Sequence, residues 1–419
     1  MILRDRTTVG LAVGLFAASC GSDAQRASDA SVASSGDAPS GAVDAGGSTE
    51  RDASSVGDPS KASPGPLDAA SLDGSAAARR LVAYASGYGP NIFTYAVDPA
   101  TGALAPRGSV AAFGSSPSFL AHNGAMTNLY AVDENVTGRV GAYAIDGDSG
   151  ALSFLGAVSS GGNGPAFVSV DGSGKFVLVA NYGDGTVSVL PVGSDGRLGA
   201  ASDKRTVGSE AHMIVADPSN AFVFVPCKGS DYVAQFTFDT STGKLSPNAT
   251  PRVATASGAG PRHLAFHPGG RLAYLVNETN STLTAFALDA TKGTLTEIET
   301  KTTLPAGFTG TNAAAEVWVH PSGRWVLASN RGDDSIVVFA IDPATGKMTL
   351  SGFTKAGGQT PRDFALDPTG TWLYAADEDA GAVVPFRFDP ALGSLAPLGG
   401  AVSVPAATYV GLGSLPLLP

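Results

Sequence analysis

The stretch GPRHLAFHPGGRLAYLVNETNSTLTAF, residues 260–286, places Arg262, His263, His267 and Glu278 within one short run of strand-like sequence. An arginine fork binds a carboxylate or phosphate, a histidine can move a proton near neutrality, and a carboxylate can orient either. Metal chemistry has little basis here. The chain's 5 histidines are scattered, and none of its histidine or cysteine spacings places ligands together. No metal and no cofactor are expected. The same residues also have an architectural reading: Arg262 and Glu278 pair across two strands, while His263 and His267 satisfy backbone groups at a turn. His320 in VWVHPSG repeats the position of His267 and shares that reading. Because strand neighbours face opposite ways, His263 is expected to point away from Arg262.

The elements that must hold such a cluster are legible as repeats. Seven stretches begin a similar phrase, at Leu81, Leu129, Phe176, Phe222, Leu272, Trp325 and Trp372. Their spacing of roughly fifty residues is that of a four-stranded propeller blade. Within one repeat, strands are expected at 262–266, 272–277, 283–287 and 294–302, with HPGGR and DATKGTL as turns. The glycines of a recurring Asp-x-x-x-Gly turn, such as Gly102 and Gly346, are expected to supply positive φ. The first repeat enters at a second strand, Leu81, and the last phrase, AATYVGL at 406–412, is a first strand with no blade after it. Pairing the two closes the ring and removes an open edge. The expected fold is all-β: a seven-bladed β-propeller over residues 79–419, with four antiparallel strands per blade, closed by the C-terminal strand.

Composition agrees with a turn-rich β protein, with 54 glycines, 27 prolines and 15% charged residues in 419. A net charge of -11 argues against a nucleic-acid partner. Near the start, Arg4 and Arg6 precede an apolar run at 9–18 that is too short to span a bilayer. The following AASC resembles a bacterial lipobox, although Ala17 stands where leucine is commoner. Residues 1–20 therefore read as a lipoprotein-type signal peptide with Cys20 the lipidated residue. Residues 21–78, dominated by Ser, Ala, Gly and Asp, bury too little apolar surface to fold and read as a disordered tether. The expected protein is exported to the bacterial envelope, periplasmic or outer-membrane-anchored. It meets the membrane through its N-terminal lipid only and works as a monomer. With Cys20 so used, Cys227 is alone and reads as a buried apolar side chain.

The phrases GPRHLAFHP with NE following, AEVWVHPSGRWVLASNRGDDSI and TPRDFALDPTGTWLYAAD resemble the seven-bladed lactonase propellers. That family includes bacterial 6-phosphogluconolactonase and fungal carboxymuconate-lactonizing enzyme. SPSFLA at Ser116 and VANYGDGTVSV at Val179 are similar as well, so the resemblance spans nearly all of 81–412. It implies an active site of one histidine, two arginines and a glutamate at the mouth of the central channel. In this sequence those positions fall on His212 in SEAHMIVADP, Arg262, Arg331 in SNRG and Glu278. Arg362, Glu316 and Asn277 are expected to help hold the substrate, although Arg331 and Arg362, at equivalent-looking loop positions, could instead lock neighbouring blades. Asp133 and Glu134 occupy the slot that matches Asn277 and Glu278, as channel lining or as a polar strand end. Four positions depart from the family pattern. Phe167 stands where many members carry histidine, Glu210 replaces the first of a histidine pair, and Cys227-Lys228 replaces Asp-Leu.

Opening a lactone needs a base to activate water and positive charge where the carbonyl oxygen becomes an oxyanion. The resemblance thus implies metal-independent hydrolysis of a small sugar-type lactone. The base stays open between His212, whose intrinsic pKa suits the task, and Glu278, which nearby arginines would hold ionised and feebly basic. A second class stands beside the enzyme: a non-catalytic envelope propeller that binds a small ligand or protein, since fold does not fix function. Export favours this class, because 6-phosphogluconate metabolism is cytosolic. The four-residue constellation favours the enzyme.

Overall fold

The computed structural model describes residues 80–415, so the signal peptide over 1–20, Cys20 and the tether over 21–78 lie outside the described residues. Within 80–415 each repeat phrase folds as an antiparallel sheet, and seven such sheets form the propeller. In the repeat containing Arg262, the strands run Pro261–Phe266, Leu272–Asn277, Thr282–Asp289 and Thr294–Thr302. Their order in the sheet is their order in the chain. First strands pack against first strands of adjacent blades around the axis. Fourth strands lie outside, as the mostly exposed Leu104–Ala111 shows.

The ring closes as the sequence predicts. Arg80–Gly87 pairs antiparallel with Ala407–Leu415, so the C-terminal strand is the innermost strand of the blade that the N-terminal strands begin. Its Thr408 hydroxyl donates to the Ser118 carbonyl of the next blade at 2.9 Å. On the other side, the Val410 N–H donates to Asp363 of the preceding blade at 2.8 Å.

Apolar faces meet between blades, not within them. One core cluster joins Tyr274, Val276, Leu283 and Ala285 to Val317, Val326 and Val337 of the following blade. Buried tyrosines pin the same seams: Tyr274 donates to the Gly346 carbonyl at 3.1 Å and Tyr374 to the Gly102 carbonyl at 2.8 Å. Both acceptors are the glycines of the Asp-x-x-x-Gly turn, each with φ +72. Positive φ is only half of their reason. A Cβ on Gly102 would stand 2.6 Å from the Trp372 ring, so the turn can nest on the neighbouring blade only without a side chain.

Most first strands carry a β-bulge at their head. The register slips between Pro261 and His263, between Pro165 and Phe167, and between Pro361 and Asp363. A bulge sets two residues of one strand against one of its partner and re-aims the side chains beside it. In these blades the extra residue is Arg262, Ala166 and Arg362. His212 takes the same place in its own blade, between the Ala211–Cys227 bridge and the Val215–Phe224 pair.

Candidate active site at the channel mouth

Two sets of equivalent positions build one end of the channel. The bulge residues of the first strands supply His212, Arg262 and Arg362. The residues that follow the last second-strand pairing supply Tyr88, Tyr182, Lys228, Glu278, Arg331 and Glu378. Both sets lie at the same end because a first strand starts where its hairpin partner finishes.

Glu278 is the hub. Its Oε2 lies 3.1 Å from Arg262 Nε and 2.9 Å from Arg331 Nη2, and its Oε1 lies 3.5 Å from Lys228 Nζ. Burial favours its neutral form, but the three cations outweigh burial and hold its pKa below the usual carboxylate value. Arg262 is 3% exposed and also donates from Nη1 to the Ala315 carbonyl at 2.6 Å. Burial and Arg331 draw its pKa down to about 10, which still leaves it charged at neutral pH. Across the mouth, Arg362 pairs with Glu378 at 3.3 Å and donates to the Tyr88 hydroxyl at 2.8 Å. Arg262 Nε and Arg331 Nη2 are buried and directed at the Glu278 carboxylate, so both are committed to that ion pair.

His212 stands beside the arginines, with Tyr182 packed edge-on at 5.6 Å. Burial, then the charges of Arg262, His263, Arg362 and Arg331, push its pKa well below the ordinary imidazole value. It is therefore a neutral imidazole at physiological pH. Lys228, at a position that departs from the pattern the resemblance implies, bridges Glu210 at 2.9 Å, Glu278 and the Tyr182 hydroxyl at 3.1 Å. Two of the sequence departures thus meet in one ion pair, Glu210–Lys228.

The structure brings His212, Arg262, Glu278, Arg331 and Arg362 together at this mouth and moves three other residues elsewhere. Asn277 turns into its blade, donating to Thr282 at 2.9 Å and Thr284 at 3.0 Å. Glu316 lies one layer below the mouth and is 6% exposed. His263 does not serve a turn and does not point away from Arg262. The bulge at Arg262 cancels the alternation, so His263 approaches Arg262 within 3.5 Å and bonds Glu316 and His212. Arg331 and Arg362 are not equivalent positions either, since Arg331 ends a second strand and Arg362 heads a first strand. His267 and His320 behave as expected, each bonding a turn carbonyl of the next blade, Gly323 at 2.9 Å and Gly370 at 3.0 Å. Asp133 is a polar strand end that accepts from the Ser115 and Ser116 N–H groups, whereas Glu134 reaches Tyr88 at the mouth. Cys227 is buried, as expected.

Below the mouth, the residues after the bulges close the channel: Phe119, Phe167, Met213, His263, Glu316, Asp363 and Tyr409. Phe167, at a position where the resemblance expects histidine, packs on Phe119 at 4.3 Å and on His263 at 5.2 Å. A cavity of about 420 Å³ opens on the far side, lined by apolar residues such as Val168, Val215, Leu264 and Leu412 and also by Glu316 and Asp363. Its lining does not include the arginines.

The family model for the seven-bladed β-propeller lactonases matches residues 81–412, and the chain belongs to that family. It is 36% identical over 197 residues to the 6-phosphogluconolactonase of Pectobacterium carotovorum subsp. carotovorum. The aligned part is 47% of this chain and 59% of that relative, so the chain spans little more than half the length of the curated relatives it matches. For the 6-phosphogluconolactonase of Yersinia pestis the identity is 32%, over 47% of this chain and 58% of the relative. Among solved structures, the periplasmic gluconolactonase of Pseudomonas aeruginosa superimposes with a TM-score of 0.75 at 29% identity. That match covers 81% of this chain and 99% of the other.

Proposed function

We propose that the protein hydrolyses a sugar-acid lactone at the arginine-lined mouth, without a metal. The observation that carries this reading is the pair of guanidinium groups, Arg262 and Arg331, that Glu278 holds in place beside the neutral His212. A lactone carbonyl oxygen presented to them gains negative charge as water adds, and buried guanidinium groups stabilise that charge more than water would. His212, neutral and beside these donors, takes the proton from the attacking water. Glu278 is ionised and committed to the cations, so it fixes the arginines in place of acting as the base. Arg362 and Lys228, each paired with a carboxylate at the mouth, add the positive charge that attracts the polar groups of the sugar acid.

The site of action in this reading is the cell envelope, with Cys20 as the lipid attachment point and residues 21–78 as the spacer. A periplasmic gluconolactonase among the structural neighbours supports a plain sugar lactone over a phosphorylated one. A pH-stat assay of the purified protein on γ- and δ-aldonolactones, plain and phosphorylated, tests the reading. Ring opening well above the spontaneous rate, favouring plain lactones, is expected. No acceleration on any of them would leave a ligand-binding propeller. Labelling with a palmitate analogue should mark the wild type and miss Cys20→Ser.

A further inference from the structure

Four buried side chains form one unbroken line from the mouth into the layer that closes the channel. His212 Nδ1 lies 3.2 Å from His263 Nε2, and His263 Nδ1 lies 2.7 Å from Glu316 Oε2. Glu316 in turn neighbours Asp363, closely enough for each carboxyl to shift the other's pKa. The ends are anchored by backbone: Glu316 Oε1 accepts the Val317 N–H at 3.0 Å and Asp363 Oδ2 accepts the Val410 N–H at 2.8 Å. Exposures of 6%, 1%, 6% and 4% show that the line is buried, with Glu316 and Asp363 at the wall of the far-side cavity. Phe119 and Phe167 shield the His263 ring edge-on. In the lactonase reading only His212 has a task; the other three are unexplained.

Each link between ring nitrogens holds one proton, so the line has two self-consistent settings. With Glu316 ionised, His263 donates to it from Nδ1, accepts at Nε2 from His212 Nδ1–H, and leaves a bare lone pair on His212 Nε2. With Glu316 protonated, every bond reverses and His212 Nε2 carries hydrogen. We propose that this line is a proton relay, in which His263 and Glu316 set His212 as the base and Glu316 receives the proton that water gives up.

The proposal rests on the lactonase reading, and its step balances. Water adds to the lactone carbonyl and yields one proton to His212 Nε2. His212 Nδ1–H passes to His263 Nε2, and His263 Nδ1–H passes to Glu316 Oε2. Both imidazoles end neutral in the opposite tautomer, the carboxylate becomes a carboxyl, and the negative charge moves to the oxyanion between the arginines. Collapse of the adduct breaks the ring C–O bond, and the departing alkoxide recovers the proton by the reverse path.

Without the relay, His212 would have to carry a full charge. Burial and Arg262 depress the pKa of both His212 and His263, so an imidazolium is disfavoured at either position. Burial acts oppositely on Glu316 and lifts its pKa above the ordinary carboxylate value, although Arg262 and Asp363 oppose the shift. Asp363, lifted by burial and by Glu316, holds the carboxyl pair's own proton. The charged and titratable groups around the line are Arg262, Arg331, Arg362, Glu278, Tyr182 and Tyr409.

The test is Glu316→Gln beside His263→Phe. Phe119 and Phe167 occupy the His263 position in other blades, so the fold already accommodates phenylalanine there. Each variant should lose kcat about 100- to 10,000-fold with little change in KM, and the double variant should lose no more than the worse single one. Glu316→Gln should also abolish the acid limb of the kcat profile. Nitrogen-15 NMR of labelled histidine should find His212 protonated on Nδ1 in the wild type and on Nε2 in Glu316→Gln. Wild-type kcat with an unchanged acid limb in Glu316→Gln, or an unchanged His212 tautomer, overturns the relay alone. A wild-type protein that opens no lactone overturns the function and, with it, the relay as a catalytic device.

Discussion

His212 and Arg262 stand at the same place in adjacent blades, each the extra residue at the head of a first strand. One repeated backbone irregularity thus aims both the candidate base and the candidate oxyanion partner at the same point. An ordinary strand would turn one of every two neighbours away from the channel. The bulge lets Arg262 and His263 both reach inward, one at the mouth and one just below it.

His267 makes the contrasting case, a histidine in the same sequence run with architectural duty only. Its Nε2 bonds the Gly323 carbonyl and its Nδ1 accepts the Gly269 N–H at 2.9 Å, joining two blades far from the arginines. His267→Ala should cost about 1–2 kcal/mol of stability, the range for a lost hydrogen bond, with kcat/KM within twofold of wild type. Thermal melts and lactone assays read both quantities. A large rate loss would give this histidine a role in the chemistry.

The closing strand should be indispensable. Deleting residues 406–419 strips Arg80–Gly87 of its inner partner, exposes a sheet edge and removes the Val410 bond to Asp363. Aggregation or a steep fall in melting temperature is expected in calorimetry. Melting like that of the full chain would contradict closure through this strand.

Asp377 offers a pH signature. It fills the slot taken by Asn181, Asn277 and Asn330 in other blades, yet its buried carboxylate has only the Gly358 backbone N–H beside it to offset burial. Burial, reinforced by the charge on Asp334, raises its pKa to about 8. Because the folded value exceeds the unfolded one, its stabilising effect is complete below the unfolded value of about 4 and is lost as pH rises towards 8. Asp377→Asn should therefore raise the melting temperature by a few degrees relative to wild type at pH 8, and much less at pH 4. An equal shift at both pH values would contradict a titrating Asp377.

The propeller was legible because its signals are local and repeated: a turn glycine, a second-strand aromatic and a fixed spacing. Leu272–Asn277 and Thr294–Thr302 fall where the pattern places them. His263 was not legible, since period-two alternation contains no sign of an inserted residue. The bulge shows only when the Pro-x-x heads of several repeats are aligned by their pairing with the second strand. Asn277 and Glu316 misled for a related reason. Proximity to Glu278 in sequence, or to the mouth in a repeat phrase, does not say towards which layer a side chain turns.

The second-order rate constant of Arg262→Ala on the best lactone tests the central claim most directly. Removing one buried donor to a developing oxyanion costs about 100- to 1,000-fold in other hydrolytic sites. A loss of that size is predicted here, with cooperative melting and an unchanged far-ultraviolet circular dichroism spectrum showing that the blades remain intact. A variant that opens the lactone as fast as wild type would contradict the assignment of this mouth as the active site.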